Sequence, residues 1–439
     1  RDWSSDVCSS DLLRVLTFDF GRTTWAPAVL VLYGVLVVAV VVSREERFVW
    51  AARAAALVGV FAGLAVAADS RAFGLHLPPA PTLLAFVAAG LALGTVVLFE
   101  VIAVDLRGQR FGWRQPIAFL AALAVVVPVL PLLVNTSDGR WNQPASSLAT
   151  LLEQLRKDPD EGDYRVLYLG NTDLLPAAPR TLPASEGKQR LAYAVTDDGP
   201  ATVFSQWAPE RTQSVDAVES ALEHLTSGDT PRVGRLIAPL GVRYIVVPRI
   251  DGARSTREAQ LSLPDGLVAS LRVQLDLRRQ YESADLLIYE NTAWVPTVAQ
   301  QTASGAQASP TAALDELVVT DLRGATPAKT GFVPGRATQR LEVASGVVTV
   351  AVPPSARWSL SVDGRTLPSR PAFGAVTGFD VPEGVTAETR ATLRFDRPFL
   401  QVALVAIQFA MWVFAVFFAL KIRRRRGVST AAVTERSAS

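Results

Sequence analysis

The chain has 439 residues, 49 % of them hydrophobic, 19 % charged, with a formal net charge of +2. That content is too apolar for a wholly water-soluble chain, yet Asp, Glu, Arg and Pro are plentiful between about residues 135 and 398, which describes a mixed membrane and soluble protein. A nearly balanced charge gives no footprint for a nucleic-acid partner, and a single cysteine, Cys8, excludes an intramolecular disulfide.

Residues 1–12 (RDWSSDVCSSDL) resemble the translation of a sequencing-library adapter and are set aside from fold reasoning as an artefact. Cys8 lies inside them, so the remainder has no thiol for a zinc site or a nucleophile. With no initiating Met, the native protein is expected to extend upstream of Leu13. Residues 13–25 are short, mixed and aromatic, which suits an interfacial segment with Trp25 at headgroup level.

Four apolar runs follow, at 26–43, 48–68, 82–104 and 116–134, each near the length that spans a bilayer. A fifth lies near the other end. Residues 399–420 carry no charge, and as a helix they would be roughly 33 Å long. Lys421 and the run Arg423, Arg424, Arg425 and Arg426 come next, which places the C-terminus in the cytoplasm because Lys- and Arg-rich loops stay inside. The same orientation puts Arg107, Arg110 and Arg114, and likewise Arg44 and Arg47, on the inner side. Five transmembrane helices in a multi-pass protein of the cell membrane are therefore expected, with residues 135–398 extracytoplasmic. Glu100 is the one carboxylate inside a span, near its cytoplasmic end. It is a candidate functional group or, more simply, the partner of an Arg such as Arg53 or Arg107.

The exported region opens on a polar loop, NTSDGRWNQP, and a predicted amphipathic helix over 147–157. A strand is predicted at 164–169, helices at 215–225 and 233–240, a buried strand at 243–247 and a strand pair at 275–281 and 286–289. Alternation of this kind indicates an α/β or α+β domain over 135–300. Residues 301–330, rich in Ala, Ser, Thr, Gly and Pro, are expected to be a linker. Period-two patterning over 340–395 then predicts a small antiparallel β-sandwich within 331–398, standing on the C-terminal helix at 399–422 and followed by a basic tail at 423–439.

The segments GVRYIVV (241–247), LLIYENTAWVP (286–296), RWSLSVDG (357–364), FDVPEG and LRFDRP ahead of a last apolar helix resemble the extracytoplasmic region of YfhO-type bacterial membrane proteins. They are also similar to the C-terminal half of actinobacterial multi-spanning membrane glycosyltransferases with a family 2 catalytic domain. An Arg-rich composition, with four Lys among 43 basic residues, fits the coding bias of a GC-rich genome. The resemblance implies that this region is a fragment, C-terminal to the catalytic part. It assigns no catalytic residue here.

The residues themselves carry no catalytic constellation and no metal or cofactor motif. His76 and His224 are far apart. Asp19 is loosely placed as an outward juxtamembrane carboxylate, with an ordinary interfacial Asp as the plainer reading. Trp141, Trp207 and Trp294 sit beside polar residues, where a ring can stack on a sugar or fill a core. Arg140, Trp141 and Asn142 are the first candidates for glycan contact, since they leave the membrane where a lipid-linked sugar would surface. Asp363 and Gly364 are expected to form a hairpin turn, and Trp358 a core anchor. The function expected is that of a truncated glycosyltransferase of cell-envelope polysaccharide or glycolipid synthesis. In it this region supplies the membrane anchor and a domain that guides the acceptor. The alternative is a non-catalytic membrane protein whose exported domain binds envelope glycan or a partner protein. The implied partners are membrane lipid and a lipid-linked sugar or envelope glycan.

Overall fold

The computed structural model describes residues 16–18, 26–69, 78, 80–105, 116, 119–120, 123–127, 161–182, 191–197, 205, 211–250, 260–310, 314–328, 337–386 and 389–436. Three helices are long and apolar enough to cross a membrane, over Glu45–Ala68, Thr82–Ala103 and Phe399–Phe418. They belong to α2 (Glu45–Asp69), α3 (Ala80–Glu100) and α9 (Phe399–Arg436). The first apolar run is shorter as a helix, with α1 at Leu30–Val42 preceded by a 3-10 turn at Ala26–Val29. Ser43 stops it, turning extended while its hydroxyl donates back to the Ala39 carbonyl. The fourth expected run lies largely outside the described residues.

α1, α2 and α3 pack through small side chains, as helices in lipid do when backbones must approach closely. A Cβ on Gly90 would sit 2.7 Å from Val58 Cγ2 and 3.2 Å from the Ala54 carbonyl oxygen, so this glycine lets α2 and α3 approach closely. Ala54, Val58 and Ala65 meet Leu84, Val87 and Leu91 along the seam, and Phe61 stacks on Phe86 at 4.4 Å.

The first folded layer is a six-stranded mixed sheet. Its strands are β1 (Arg165–Gly170), β2 (Arg180–Thr181), β3 (Ala192–Asp197), β4 (Val242–Pro248), β5 (Leu277–Glu282) and β6 (Leu286–Asn291). The order is β2-β3-β1-β4-β6-β5, with β1 and β4 parallel and every other pair antiparallel. α4 (Gln213–Ser227) and α5 (Val233–Ile237), with a 3-10 turn at Ala238–Leu240, precede β4 in the connection from β1.

Each face of this sheet follows from strand alternation. Leu167, Ile245 and Tyr289 share one face and bury against Ala221, Leu222 and Leu225 of α4, Leu236 of α5 and Leu271 of α6 (Leu267–Arg272). Tyr168, Val246 and Ile288 share the other, with Tyr164, Tyr244 and Trp294 beside them. The predicted elements from 164 to 289 all form, within a few residues. β2, β3 and α6 were not anticipated, and the helix expected at 147–157 lies outside the described residues.

Two antiparallel sheets follow. One has the order β13-β14-β10-β7-β8, built from β7 (Val298–Gln300), β8 (Thr326–Pro327), β10 (Gly346–Val350), β13 (Arg370–Ala372) and β14 (Val376–Val381). The other has the order β12-β11-β15-β9, from β9 (Thr338–Val343), β11 (Trp358–Val362), β12 (Arg365–Pro368) and β15 (Thr389–Phe395). Val348, Val350, Phe379 and Val381 from the first face Leu341, Leu360, Val362 and Leu393 from the second, giving a sandwich core. β11 turns into β12 through Asp363 (φ +47°) and Gly364 (φ +77°), the two left-handed residues of a type I′ hairpin.

Residues 301–330 differ from the expected linker. They carry α7 (Ala303–Ala308), α8 (Leu314–Leu317) and β8, and Leu317 and Leu322 lie in the core shared with α4 and α5. The sequence ASGAQA has no apolar face to give α7 away. Instead the Thr302 hydroxyl caps it by accepting from Gly305 N, and Gly305 and Ser309 are buried. The sandwich also begins earlier than expected, since β7 and β8 lie before residue 331. Its sheets are joined to the mixed domain rather than tethered by a free segment.

Truncating the side chain at the centre of the sandwich core, Phe379→Ala, is expected to lower stability by about 3–5 kcal/mol. Denaturant unfolding of the full chain in detergent, followed by far-UV circular dichroism, measures it. A loss under about 1 kcal/mol would mean that Phe379 does not fill a packed interior.

Candidate functional site

The densest cluster of charge and aromatic rings is built on β4 and the residues around β6. β4 is bulged against β1, where Arg165 pairs Val242 but Val166 pairs Tyr244, so Arg243 is the extra residue. The bulge brings the Arg243 guanidinium over three rings, 4.6 Å from the centroid of Trp294, 5.2 Å from Tyr244 and 5.6 Å from Tyr164. Tyr164 meets the edges of Tyr244 and Trp294 at 5.3 and 6.3 Å. Such cation–π contacts strengthen as water is excluded, and the Arg243 side chain is only 11 % exposed.

Two carboxylates complete the cage. Arg243 donates to Glu161 and, at 3.3 Å, to Glu290, which sits opposite Tyr244 on β6. Glu290 also accepts from Arg278 and Gln280. Burial pushes the Glu290 carboxyl up, but hydrogen bonds from Arg278 and Gln280 and the charges of Arg243 and Arg278 outweigh it, so the group lies below its ordinary value. For Arg243 burial works against the charge, and Glu161, Tyr244 and Glu290 more than restore it. Burial raises the Tyr244 phenol, so it stays neutral. At neutral pH Arg243 is therefore a cation, Glu290 an anion and Tyr244 a neutral phenol. A general acid or base needs a group that titrates near the working pH, and Arg243, Tyr244 and Glu290 are all shifted away from it.

A second cluster lies beside it. The Asn291 side chain, fully buried, donates to the carbonyls of Gly234 and Val242 and accepts from Ala293 N. A Cβ on Gly234 would lie 2.5 Å from Asn291 Oδ1, so only glycine lets α5 approach. Gln274 caps α5 by accepting from Val233 N, and Asp276 takes Arg232 at 3.1 Å. Further out, hydrogen bonds from Arg323 hold the Asp321 carboxyl down at about 2.

The sequence-derived candidates are dispersed. Arg140, Trp141 and Asn142 lie outside the described residues, as do Asp19, His76 and Trp207. Glu100 pairs with Arg47 at 3.2 Å, joining the end of α3 to the start of α2. His224, in the last turn of α4, faces Asp229 at 3.4 Å. Trp358 packs on Phe395 at 4.8 Å beside the sandwich core. Trp294 alone belongs to the cage, and one of its ring faces is taken by Arg243. Arg243 and Glu290 were passed over as strand interior, although a charged residue inside an apolar strand is itself a signal, because buried charges are paired. Among the described residues no group of three or more His, Cys, Asp or Glu could hold a metal ion.

Because Glu290 is held below its ordinary value, its contribution to stability is present above about pH 4.3, the unfolded value, and is lost as pH falls through the folded one. Glu290→Gln should therefore cost roughly 1.5–3 kcal/mol at pH 7, and the gap to the unaltered chain should narrow below about pH 4. Chemical unfolding at a series of pH values checks this; a gap constant with pH would show that the charge of Glu290 contributes nothing.

Compared with protein-family models, with curated proteins and with solved structures, the chain matches none.

Proposed function

We propose that the chain is the membrane-anchored, exported part of a cell-envelope glycosyltransferase, which holds and guides a glycan or lipid-linked acceptor while the chemistry resides outside residues 161–395. The observation that carries this reading is the arrangement itself. A folded body of two layers lies between apolar helices on both sides in sequence, and its last strand, β15, ends three residues before the helix Phe399–Phe418 begins. The similarity of residues 241–247, 286–296 and 357–364 to the exported region of such enzymes supports the assignment. The fixed charge states of the Arg243 cage support a guiding rather than a catalytic role.

In this reading the protein spans five times, the body faces outward and the arginine run faces the cytoplasm. A second reading, a non-catalytic protein that binds envelope glycan or a partner, is favoured by one observation: every charged group of the cage has a partner inside the fold.

Orientation is tested with the full chain carrying Cys8→Ser and one new cysteine. A membrane-impermeant maleimide added to intact cells should label Arg365→Cys, on the exposed hairpin, and should label Ser429→Cys only after permeabilisation. The reverse pattern overturns the proposal. If the orientation holds, the chain in vesicles should bind a polyprenyl-phosphate-linked sugar saturably. Transfer activity in a longer form carrying any upstream segment supports the first reading, and glycan binding with no transfer in any form supports the second.

A further inference from the structure

Gln408 is the tenth of the twenty residues of the span Phe399–Phe418, which places its amide at the bilayer midplane. Among the described residues nothing covers this helix: none of its apolar window is buried, and no hydrogen bond reaches the Gln408 side chain. An amide in hydrocarbon finds no water, so it needs a protein partner. The other apolar runs offer no side chain at that depth free both to donate and to accept, since the hydroxyls there have committed their protons. Among their polar groups Tyr33 donates to Leu16 O, Ser43 to Ala39 O and Thr95 to Leu91 O, Glu100 pairs with Arg47, Arg53 lies over Trp50, and Thr82 stands near its helix start. The run 116–134 has no side chain able to hydrogen-bond.

We propose that the partner is Gln408 of a second copy, so that the last helix is a dimerisation helix. An amide both donates and accepts, so two of them related by a two-fold axis satisfy each other reciprocally. The remainder of the helix has the matching pattern. Gln401, Gln408 and Ala415 recur every seven residues and lie within about 20° of one line, the period of a left-handed helix pair. Phe399, Phe409, Phe414 and Phe417 lie roughly 100° or more from that line, turned to lipid. Leu404, Val405, Met411 and Trp412 flank it.

This inference rests on the reading of Phe399–Phe418 as a membrane span. The test uses the full chain in lipid vesicles, with subunits counted by single-molecule photobleaching over a series of protein-to-lipid ratios, and an alkaline-carbonate wash of the same vesicles. The unaltered chain should be dimeric, Gln408→Leu should weaken association about tenfold, and Gln408→Asn should restore most of it. With Cys8→Ser, Ala415→Cys should form a disulfide dimer under oxidation and Phe417→Cys should not. A chain retained by the membrane but monomeric at every ratio, or association unchanged in Gln408→Leu, overturns the dimer alone. A chain released by carbonate overturns the membrane reading and the dimer with it.

Discussion

The folded body depends on one strap, residues 290–299, in which successive side chains and amides are committed to different layers. Glu290 holds Arg243 of the neighbouring strand, and Asn291 fixes the start of α5 to β4. Trp294 lies against the Arg243 guanidinium, and Val295 enters the main core. Thr297 then bonds outward in both directions: its N–H donates to Asp163 O at the entrance to β1, and its carbonyl accepts from Ala351 N beyond β10. Val298 and Ala299 continue as β7, one into the sandwich core and the other into the core of the mixed sheet. A chain segment with such alternating obligations cannot shift without breaking both layers.

Around the strap the layers are further locked. Ser214, at the start of α4, donates to Ala375 O in the β13–β14 turn at 2.6 Å, Phe373 N donates to Ser309 O, and Phe373 is buried among the helices. The sheet containing β7 and β14 thus has both faces buried, one against the second sheet and one against the helices. Three residues separate β15 from the last helix, so the sandwich and that helix are joined with little slack. Arg243 and Glu290, each charged and paired inside the fold, fasten β4 to β6.

Much of this was legible from the residues. Apolar runs at 48–68, 82–104 and 399–420, with Arg53 and Glu100 their only charges, signalled the three long helices, and the strands at 242–248 and 286–291 were marked by β-branched and aromatic residues. Asp363 and Gly364 announced their hairpin because few other pairs adopt two left-handed conformations in a row. What was illegible was long-range. The helix ASGAQA has no hydrophobic period, so it is fixed by burial rather than propensity. The cage was hidden for a different reason. Arg243 is turned by a bulge, and no pattern in one strand states that its neighbour is offset by a residue. Of the candidate contacts, Trp294 came from sequence, but its partners Arg243 and Tyr164 lie far from it in the chain, on and ahead of other strands.

The central claim is that the strap makes the mixed sheet and the sandwich a single cooperative unit. Hydrogen exchange of the full chain in detergent tests it directly, by comparing the opening free energies of amides in β4 and in β14. The account predicts equal values for the two, and an equal fall in both when Asn291 is replaced by alanine. Exchange of β14 at a free energy unlike that of β4, or a loss in Asn291→Ala confined to β4, would contradict it.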